Sequence, residues 1–257
     1  MTGPALAAGW IVPEWPAPAN VRALVTTRAG GVSRGAFGAG AEGGMNIGMA
    51  SGDDLEAVQA NRRRLASLLP GEPRWLRQVH GAVVASVDGD DVPAQADAAV
   101  AATVGRVCVV SVADCLPVLF VDTKGRAVAA AHAGWRGLAG GVLQNTAAAL
   151  RRRLDEPGAE LLAWLGPAIG PERFEVGDDV FAAMTARLPE AHRAFVAPAG
   201  SRMLCDLFSL ARLALAQAEV HSVHGGGLCT HSDPSRFYSY RRDRVTGRHA
   251  ALIWRES

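Results

Sequence analysis

A short apolar run, Val107–Val112, most constrains how this chain can fold. Its sequence, VCVVSV, is rich in β-branched residues and nearly all apolar, which predicts a strand covered on both faces. Similar patterns predict further strands at Val21–Thr27, Val83–Val87, Val118–Val121, Ala127–Ala131, Leu161–Leu165, Val220–Val223, Phe237–Arg241 and Ala250–Trp254. Helical spacing of apolar residues predicts helices at Asp53–Leu69, Val142–Leu154, Asp178–Leu188 and Leu207–Ala218. Strands and helices do not alternate strictly, which favours an α+β fold over a doubly wound sheet.

The Gly-rich segment Gly30–Gly52 is too long for a simple turn and predicts a functional loop. Asp53 and Glu56, which follow it, fit a capping box at the start of the first helix. Two motifs in the segment lack their structural context. A dinucleotide-binding GxGxxG needs a helix directly after it, and no helix is predicted after Gly38–Gly43. A nucleophile elbow also needs a helix after its GxSxG, and none is predicted after Gly31–Gly35.

Composition excludes several classes of protein. With 49% hydrophobic residues and a net charge of +1, the chain is neither disordered nor of the basic type that binds nucleic acid. The longest apolar stretch, Ala96–Val121, is interrupted by Asp97 and other charges, so no membrane span of about 18 residues is predicted. We expect a single domain over residues 1–257, with residues 1–20 as an irregular N-terminal extension.

The N-terminal segment and the cysteines indicate the cellular compartment. The N-terminus has no basic region of a secretion signal, and the four cysteines have no CxxC spacing. We therefore expect a cytoplasmic protein with free thiols, as a monomer or homodimer. All basic residues except Lys124 are Arg. A GC-rich coding sequence explains most of that bias, and bidentate recognition of anions explains it for a few positions.

Three segments carry side chains suited to chemistry. They are RQVHG around His80, ADCLP around Cys115 and AHAGWRG around His132, and each lies at the edge of a predicted strand. Two imidazoles and a thiolate form a competent zinc set, since catalytic zinc commonly takes three protein ligands and leaves one position open. The residues alone leave an alternative for each: a hydrogen-bonded histidine, or a cysteine that acts as a small buried apolar group.

These segments make the chain resemble the YfiH family, also called the laccase-domain or multicopper polyphenol oxidase family. The resemblance runs from about Val21 to Trp254, and DCLPV together with HAGWRG is nearly diagnostic. Other segments that carry it are TTRAGGVSRG, NIG, GDDLEAVQANRRRL, WLGPAIGP, CTHSDPSRFYSYRRD and TGRHAALIW. The resemblance implies an α+β fold with a mixed β-sandwich core flanked by helices. It also implies that His80, Cys115 and His132 bind a catalytic Zn²⁺, with Cu²⁺ as the alternative metal.

The resemblance further implies a zinc-dependent purine nucleoside enzyme. Its reactions would be phosphorolysis of adenosine, inosine, guanosine or methylthioadenosine, together with adenosine deamination; its partners would be nucleoside and inorganic phosphate rather than nucleic acid or a membrane. Candidate residues are Arg28, Arg136 and Arg241 for phosphate, Asn46 for ribose or base, Tyr240 with Phe237 and Tyr238 for stacking, and Asp114 for proton transfer beside the ligands. A turn before Gly48 is an equal interpretation of Asn46, and a turn or capping role is an equal one of Asp114.

Two other activities and one non-enzymatic role stay open at this stage. Seven histidines without an HxH pair do not suffice for a multicopper laccase, so a polyphenol oxidase would rely on a single copper. An amide hydrolase of the peptidoglycan-editing type would use Cys115 as nucleophile with His80 or His132 as base. A metal-binding module without catalysis would need a fourth ligand, for which Cys229 and His231 are the candidates.

Overall fold

The computed structural model describes residues 9–89, 95–198 and 202–257. The strands are β1 (Val21–Val25), β2 (Ala29–Ser33), β3 (Val84–Ser86), β4 (Ala98–Ala101), β5 (Val107–Val112), β6 (Leu116–Asp122), β7 (Val128–Ala133), β8 (Leu161–Leu165), β9 (Glu175–Val176), β10 (Phe195–Val196), β11 (Met203–Cys205), β12 (Ser222–Gly225) and β13 (His249–Arg255). The helices are α1 (Leu55–Ala66), α2 (Trp135–Gly140), α3 (Val142–Leu154), α4 (Asp178–Arg187), α5 (Leu207–Gln217) and α6 (Tyr240–Asp243). Short 3₁₀ turns lie at Gly35–Phe37, Gly40–Glu42 and Pro189–Ala194.

Two sheets form the centre of the molecule. One is antiparallel with the order β1-β13-β5, and the other is mixed with the order β12-β8-β6-β7-β4-β3. Alternation along β5 shows how they stack: Cys108 and Val110 point between the sheets, whereas Val107 and Val109 point to the outer side. All four are fully buried, so the predicted covering of this strand on both faces is confirmed.

Helices close the outer faces of both sheets. On the six-stranded sheet, α3 and α5 bury leucines such as Leu143 and Leu210 against strand residues such as Phe120. On the three-stranded sheet, α1 buries Leu65 with Val107 and the aromatic ring of Trp10. The result is a single-domain α+β arrangement of four layers, a mixed β-sandwich flanked by helices, as expected.

The predicted strand Phe237–Arg241 is wrong. Ser239 instead caps the short helix α6, and its hydroxyl accepts a hydrogen bond from the backbone N–H of Arg242 at 3.2 Å. The two tyrosines therefore do not share one strand face. Tyr238 is fully buried, whereas Tyr240 is half exposed, so Tyr238 takes no part in a stacking wall.

Several predicted boundaries shift. The first helix begins at Leu55, because the carboxylate of Asp54, rather than that of Asp53, caps it by accepting from the N–H of Glu56 at 2.9 Å. The predicted Gly-rich loop contains β2, and the predicted Ala127–Ala131 strand extends to Ala133 in β7. Residues 9–20 form no helix or strand of their own, and residues 1–8 of the predicted extension lie outside the described residues. In the part of the chain that the structure describes, no helix combines the length and apolar character that crossing a bilayer requires.

Candidate metal centre and substrate pocket

His80, Cys115 and His132 meet at one edge of the six-stranded sheet. Their potential ligand atoms all lie within 4.8 Å of one another, and the two imidazole rings stand nearly perpendicular with centroids 4.8 Å apart. The pairing of β6 with β7 places Pro117 opposite His132, which brings Cys115 to the same edge. His80 comes from the segment before β3. The three donors are of the nitrogen and sulfur types that zinc prefers, so the set fits such an ion.

The cluster is open on one side. His132 is buried, Cys115 is half-buried and His80 is exposed. Of the residues that the structure describes, no further His, Cys, Asp or Glu joins this group. Cys229 lies elsewhere, and its Sγ accepts a hydrogen bond from the backbone N–H of Gly170 at 3.1 Å. The geometry therefore favours three protein ligands with an open position over a closed structural site.

Asp97 organises two of the three donors. Its fully buried carboxylate accepts from the N–H groups of Val79, His80 and Gly81 at 3.1, 2.9 and 2.7 Å, which fixes the backbone that presents the His80 ring. It also contacts Nδ1 of His132 at 2.8 Å. That contact leaves Nε2 of His132 as the nitrogen available to an ion, an arrangement that orients many histidine ligands.

The charges of the cluster favour a thiolate. Burial raises the pKa of the Cys115 thiol, but the charge and hydrogen bond of His132 and the hydrogen bond of His80 outweigh burial and lower it to about 6. Burial likewise raises the pKa of Asp97, but the hydrogen bonds from His132 and from the backbone of Gly81 and Val79 bring it below its ordinary value. A thiolate is the form in which cysteine binds a metal or attacks as a nucleophile.

The backbone around the cluster is tightly fitted. A Cβ placed on Gly134 would stand 2.8 Å from Sγ of Cys115 and 3.3 Å from Cδ2 of His80. His80 and Asp114 adopt positive φ angles of 61° and 83°, which non-glycine residues seldom do. Such strain is retained where the surrounding contacts require it, here in two of the three segments that carry the cluster.

Asp114, the predicted proton shuttle, is tied into the fold. One carboxylate oxygen accepts from Oγ1 of Thr230 at 2.6 Å, and the other accepts from the backbone N–H of Arg241 at 2.6 Å. These bonds fix the β5–β6 turn, which carries Cys115, to Thr230 and to α6. Asp114 still lines the cavity beside the cluster, so a role in proton transfer stays a prediction.

The cluster lies in the wall of a cavity of about 780 Å³. Five arginines line it: Arg62, Arg77, Arg136, Arg241 and Arg248. Trp135, Phe174 and Tyr240 contribute aromatic surface. Of the described residues, Asp114 is the one carboxylate in the lining. A cavity with this excess of cations and with aromatic faces suits an anion together with a flat ring.

Some of the substrate-binding residues predicted from the sequence line the cavity, and others do not. Arg136, Tyr240 and Arg241 line it. Arg28 does not, because its guanidinium donates to the carbonyls of Gly38 at 2.5 Å and Ala36 at 3.1 Å. Asn46 is fully buried outside the lining, where its Oδ1 accepts from the N–H of Gly48 at 3.0 Å, as in the turn interpretation.

The sequence interpretation assigned no role to several residues of the site, among them Asp97, Arg62 and Arg248. From the sequence, Asp97 is only a charge that interrupts an apolar stretch, although a lone carboxylate amid buried apolar residues is itself a sign of bound partners. Arg62 and Arg248 are separated by most of the chain and belong to arginine-rich segments. No local pattern distinguishes them from arginines that face solvent.

Known proteins resemble this chain over nearly its whole length. Residues 22–256 match the family described as multi-copper polyphenol oxidoreductase laccase. A Pseudomonas aeruginosa protein named purine nucleoside phosphorylase is 52% identical over 246 residues, which cover 95% of this chain and 98% of the relative. An Escherichia coli protein named purine nucleoside phosphorylase YfiH is 46% identical over 247 residues, with the same coverage.

Solved structures show the same fold. A Neisseria meningitidis protein of the family DUF152 superposes with a TM-score of 0.87 at 47% identity, covering 97% of this chain and all of the other. YlmD from Geobacillus stearothermophilus gives a TM-score of 0.87 at 33% identity and covers 99% of both chains.

Proposed function

This chain belongs to the multi-copper polyphenol oxidoreductase laccase family, and we propose that it acts within that family as a metal-dependent purine nucleoside phosphorylase. Its substrates would be adenosine, inosine, guanosine or methylthioadenosine with inorganic phosphate. One observation carries the proposal: an open cluster of two imidazoles and a thiolate in the wall of an arginine-lined cavity. Relatives named purine nucleoside phosphorylase, at up to 52% identity among those given above, support it.

The metal in this proposal is a single Zn²⁺ held by His80, Cys115 and His132, with Cu²⁺ as the alternative ion. A bound divalent ion would supply Lewis acidity to polarise an oxygen or nitrogen of the substrate. The donor set does not fit a multicopper centre: within the described ranges, the structure brings together one group of three such side chains, and a multicopper enzyme needs several.

The remaining residues of the cavity bind the two substrates. Guanidinium groups match the geometry of phosphate oxygens and offset their charge, and the cavity offers five of them. The aromatic faces of Trp135, Phe174 and Tyr240 suit a purine ring. We propose adenosine deamination as a second reaction of the same site. Asp114, the carboxylate nearest in sequence to the ligands, would transfer the proton.

The proposal is tested by metal analysis and chromatography on the same purified protein. We expect about one zinc ion per chain and release of free base from adenosine and inosine that requires phosphate. His80→Ala should abolish both metal content and base release, because it removes one of three ligands. Arg152→Ala, on an exposed turn of α3, is the matched control and should retain both. Base release that is independent of phosphate would contradict phosphorolysis.

An amide hydrolase is the second candidate, and the stabilised thiolate of Cys115 favours it. In that reaction Cys115 would act as nucleophile and an adjacent imidazole as base. A thiolate bound to zinc is a poor free nucleophile, so the two candidates separate on metal. Turnover of an amide substrate that survives complete removal of metal but is lost in Cys115→Ser would replace the phosphorylase proposal.

A further inference from the structure

Two arginines absent from the predicted substrate set line the cavity and are held by the same short backbone segment. Arg62, on α1, donates from Nε to the carbonyl of Ile47 at 2.9 Å. Arg248, just before β13, is held by the same short segment: its backbone N–H donates to Oδ1 of Asn46 at 2.8 Å, and its carbonyl accepts from the N–H of Ile47 at 3.3 Å. Both side chains line the cavity that contains the metal-binding cluster.

The backbone between them is shaped for this approach. A Cβ on Gly48 would lie 2.7 Å from Cγ of Arg248, so only glycine lets that side chain pass over the segment. The guanidinium carbon of Arg62 lies 3.9 Å from the ring centroid of Trp75, close enough for a cation–π contact. These contacts hold both stems in place before any ligand binds, which reduces the entropy lost on binding.

Much of the donor capacity of the pair is uncommitted. Arg62 uses only Nε, and Arg248 uses only Nη1, which donates to the carbonyls of Thr246 and Gly247. In the described parts of the chain, no acceptor is found for the two terminal nitrogens of Arg62 or for Nε and Nη2 of Arg248. Both side chains are partly buried in the cavity wall, and an anion in the cavity would accept hydrogen bonds from these donors.

The arginines predicted from the sequence are less suited to this task. Arg136 lies exposed over the ring of Trp135, and Arg241 is held by the carbonyl of Glu175, to which its Nη1 donates at 2.7 Å, rather than by the Asn46–Gly48 segment. Burial, by contrast, lowers the pKa of Arg62 to about 10, offset in part by the charge of Glu72, so the group is still charged at neutral pH but poorly hydrated. Electrostatic attraction is stronger where water screens it less.

We propose that Arg62 and Arg248 form the binding site for inorganic phosphate in this cavity. The proposal rests on the phosphorylase function argued above, since phosphate is there the second substrate. It assigns phosphate binding to a pair of arginines held by Asn46–Gly48 instead of to the three arginines that the sequence indicated. Asn46 thereby has a positioning role through the backbone of Arg248 instead of contacting ribose.

The test measures binding of inorganic phosphate to the metal-loaded protein by calorimetry, independently of turnover. Arg62→Gln and Arg248→Gln should each weaken binding by about ten- to hundredfold, the effect of losing hydrogen bonds to a charged group. Both should raise the KM for phosphate while changing the KM for nucleoside less than about twofold. Arg63→Gln, the neighbouring exposed position on α1, is the matched control and should bind phosphate like the parent.

A folding defect is separated from a binding defect by a further variant. Arg62→Lys keeps the charge and most of the stem but loses the planar fork, so we expect a folded protein with phosphate binding between those of the parent and Arg62→Gln. Thermal unfolding of each variant identifies a loss of structure.

Three results would overturn the proposal: unchanged phosphate affinity in both Gln variants, a large loss in Arg136→Gln instead, or a parent protein that binds inosine 5′-monophosphate but not inorganic phosphate. If the parent binds phosphate, the Gln variants lose it, and yet no nucleoside is cleaved, the oxyanion site stands and the phosphorylase function fails.

Discussion

At the scale of single residues, Asp97 does the most to define the site. Its carboxylate holds the backbone of one histidine and the side chain of the other, so a change there acts on two ligands at once. The cluster was accessible from the sequence in two steps: imidazoles and a thiol at predicted strand edges suggest a metal set by their residue types, and the family resemblance implies that the three side chains meet. Asp97 carries no such signal by itself, since its importance depends on which loop folds back onto it.

Asp97→Asn should weaken metal binding by about ten- to hundredfold, the usual cost of losing a partner that orients a histidine ligand. The amide of asparagine has one acceptor oxygen, so it cannot accept hydrogen bonds from all four groups that now bond to the Asp97 carboxylate. Competition with a chelator of known affinity measures the effect. Asp88→Asn is the control, because Asp88 also accepts from backbone N–H groups, of Ala102 and Thr103, but away from the cavity. Equal metal affinities for Asp97→Asn and the parent would contradict the assigned role.

His249 should make the stability of the protein depend on pH. Burial lowers its pKa from 6.5 to about 3, and its Nε2 accepts from the N–H of Tyr238 at 2.8 Å. Below pH 6.5 the unfolded chain therefore binds a proton that the folded chain does not, so stability falls as the pH falls. At pH 5 the loss amounts to about 2 kcal/mol relative to pH 7.5.

Urea unfolding at pH 7.5 and pH 5 measures this dependence. His249→Gln removes the titrating group and should unfold with a smaller difference between the two pH values, although it is less stable at both. His192→Gln, on the exposed 3₁₀ turn, should retain the difference of the parent. A difference that persists unchanged in His249→Gln would show that other groups cause it.

At the scale of elements, patterns that arise from burial predict strands correctly, whereas patterns that distant contacts can override do not. The predicted bounds Val107–Val112 and Leu161–Leu165 are those of β5 and β8, because strands buried on both faces need continuous apolar residues. Phe237–Arg241 has strand-like aromatic alternation, yet Ser239 and the carboxylate of Asp114 supply caps that turn it into a helix. One of those caps comes from 127 positions away along the chain, which no local pattern contains.

Short strands were missed for a related reason. β4 (Ala98–Ala101) is nearly all alanine, which has low strand propensity, and it forms because β7 pairs with it and α3 covers it. β9, β10 and β11 contain two or three residues each, too few for a period to be recognised. In these segments tertiary contacts, rather than local preference, decide the structure.

The junction of β7 and α2 gives a prediction at the scale of elements. Gly134 lets this junction pass directly beside Cys115 and His80, so Gly134→Ala should displace those side chains and lower metal affinity while the sandwich stays folded. Chelator competition and circular dichroism measure the two effects. Gly158→Ala, where an added Cβ meets nothing within 4 Å, is the matched control. Unchanged metal affinity in Gly134→Ala would show that the cluster has room to adjust.

At the scale of the whole molecule, the candidate metal centre lies at the edge of an extensively packed fold. The strands β6 and β7, which carry or adjoin two of the ligands, belong to a six-stranded sheet buried by a second sheet on one face and by helices on the other. Small zinc domains, by contrast, lack such cores and unfold without metal. We therefore expect that a metal ion can bind to the cluster or leave it without a change in the surrounding sheets and helices.

Removal of the metal should accordingly abolish activity but leave a cooperatively folded protein. At a free metal concentration about 100 times the dissociation constant, binding adds about 3 kcal/mol of stability, or about 5–10 °C in Tm for a chain of this size. Thermal unfolding with and without chelator measures the shift, and far-UV circular dichroism reports whether strands and helices persist. Cys115→Ser, which lacks one ligand, should show a much smaller shift. Loss of the circular dichroism signal on chelation at 25 °C would mean that the ion, and not the packed sandwich, holds these strands together.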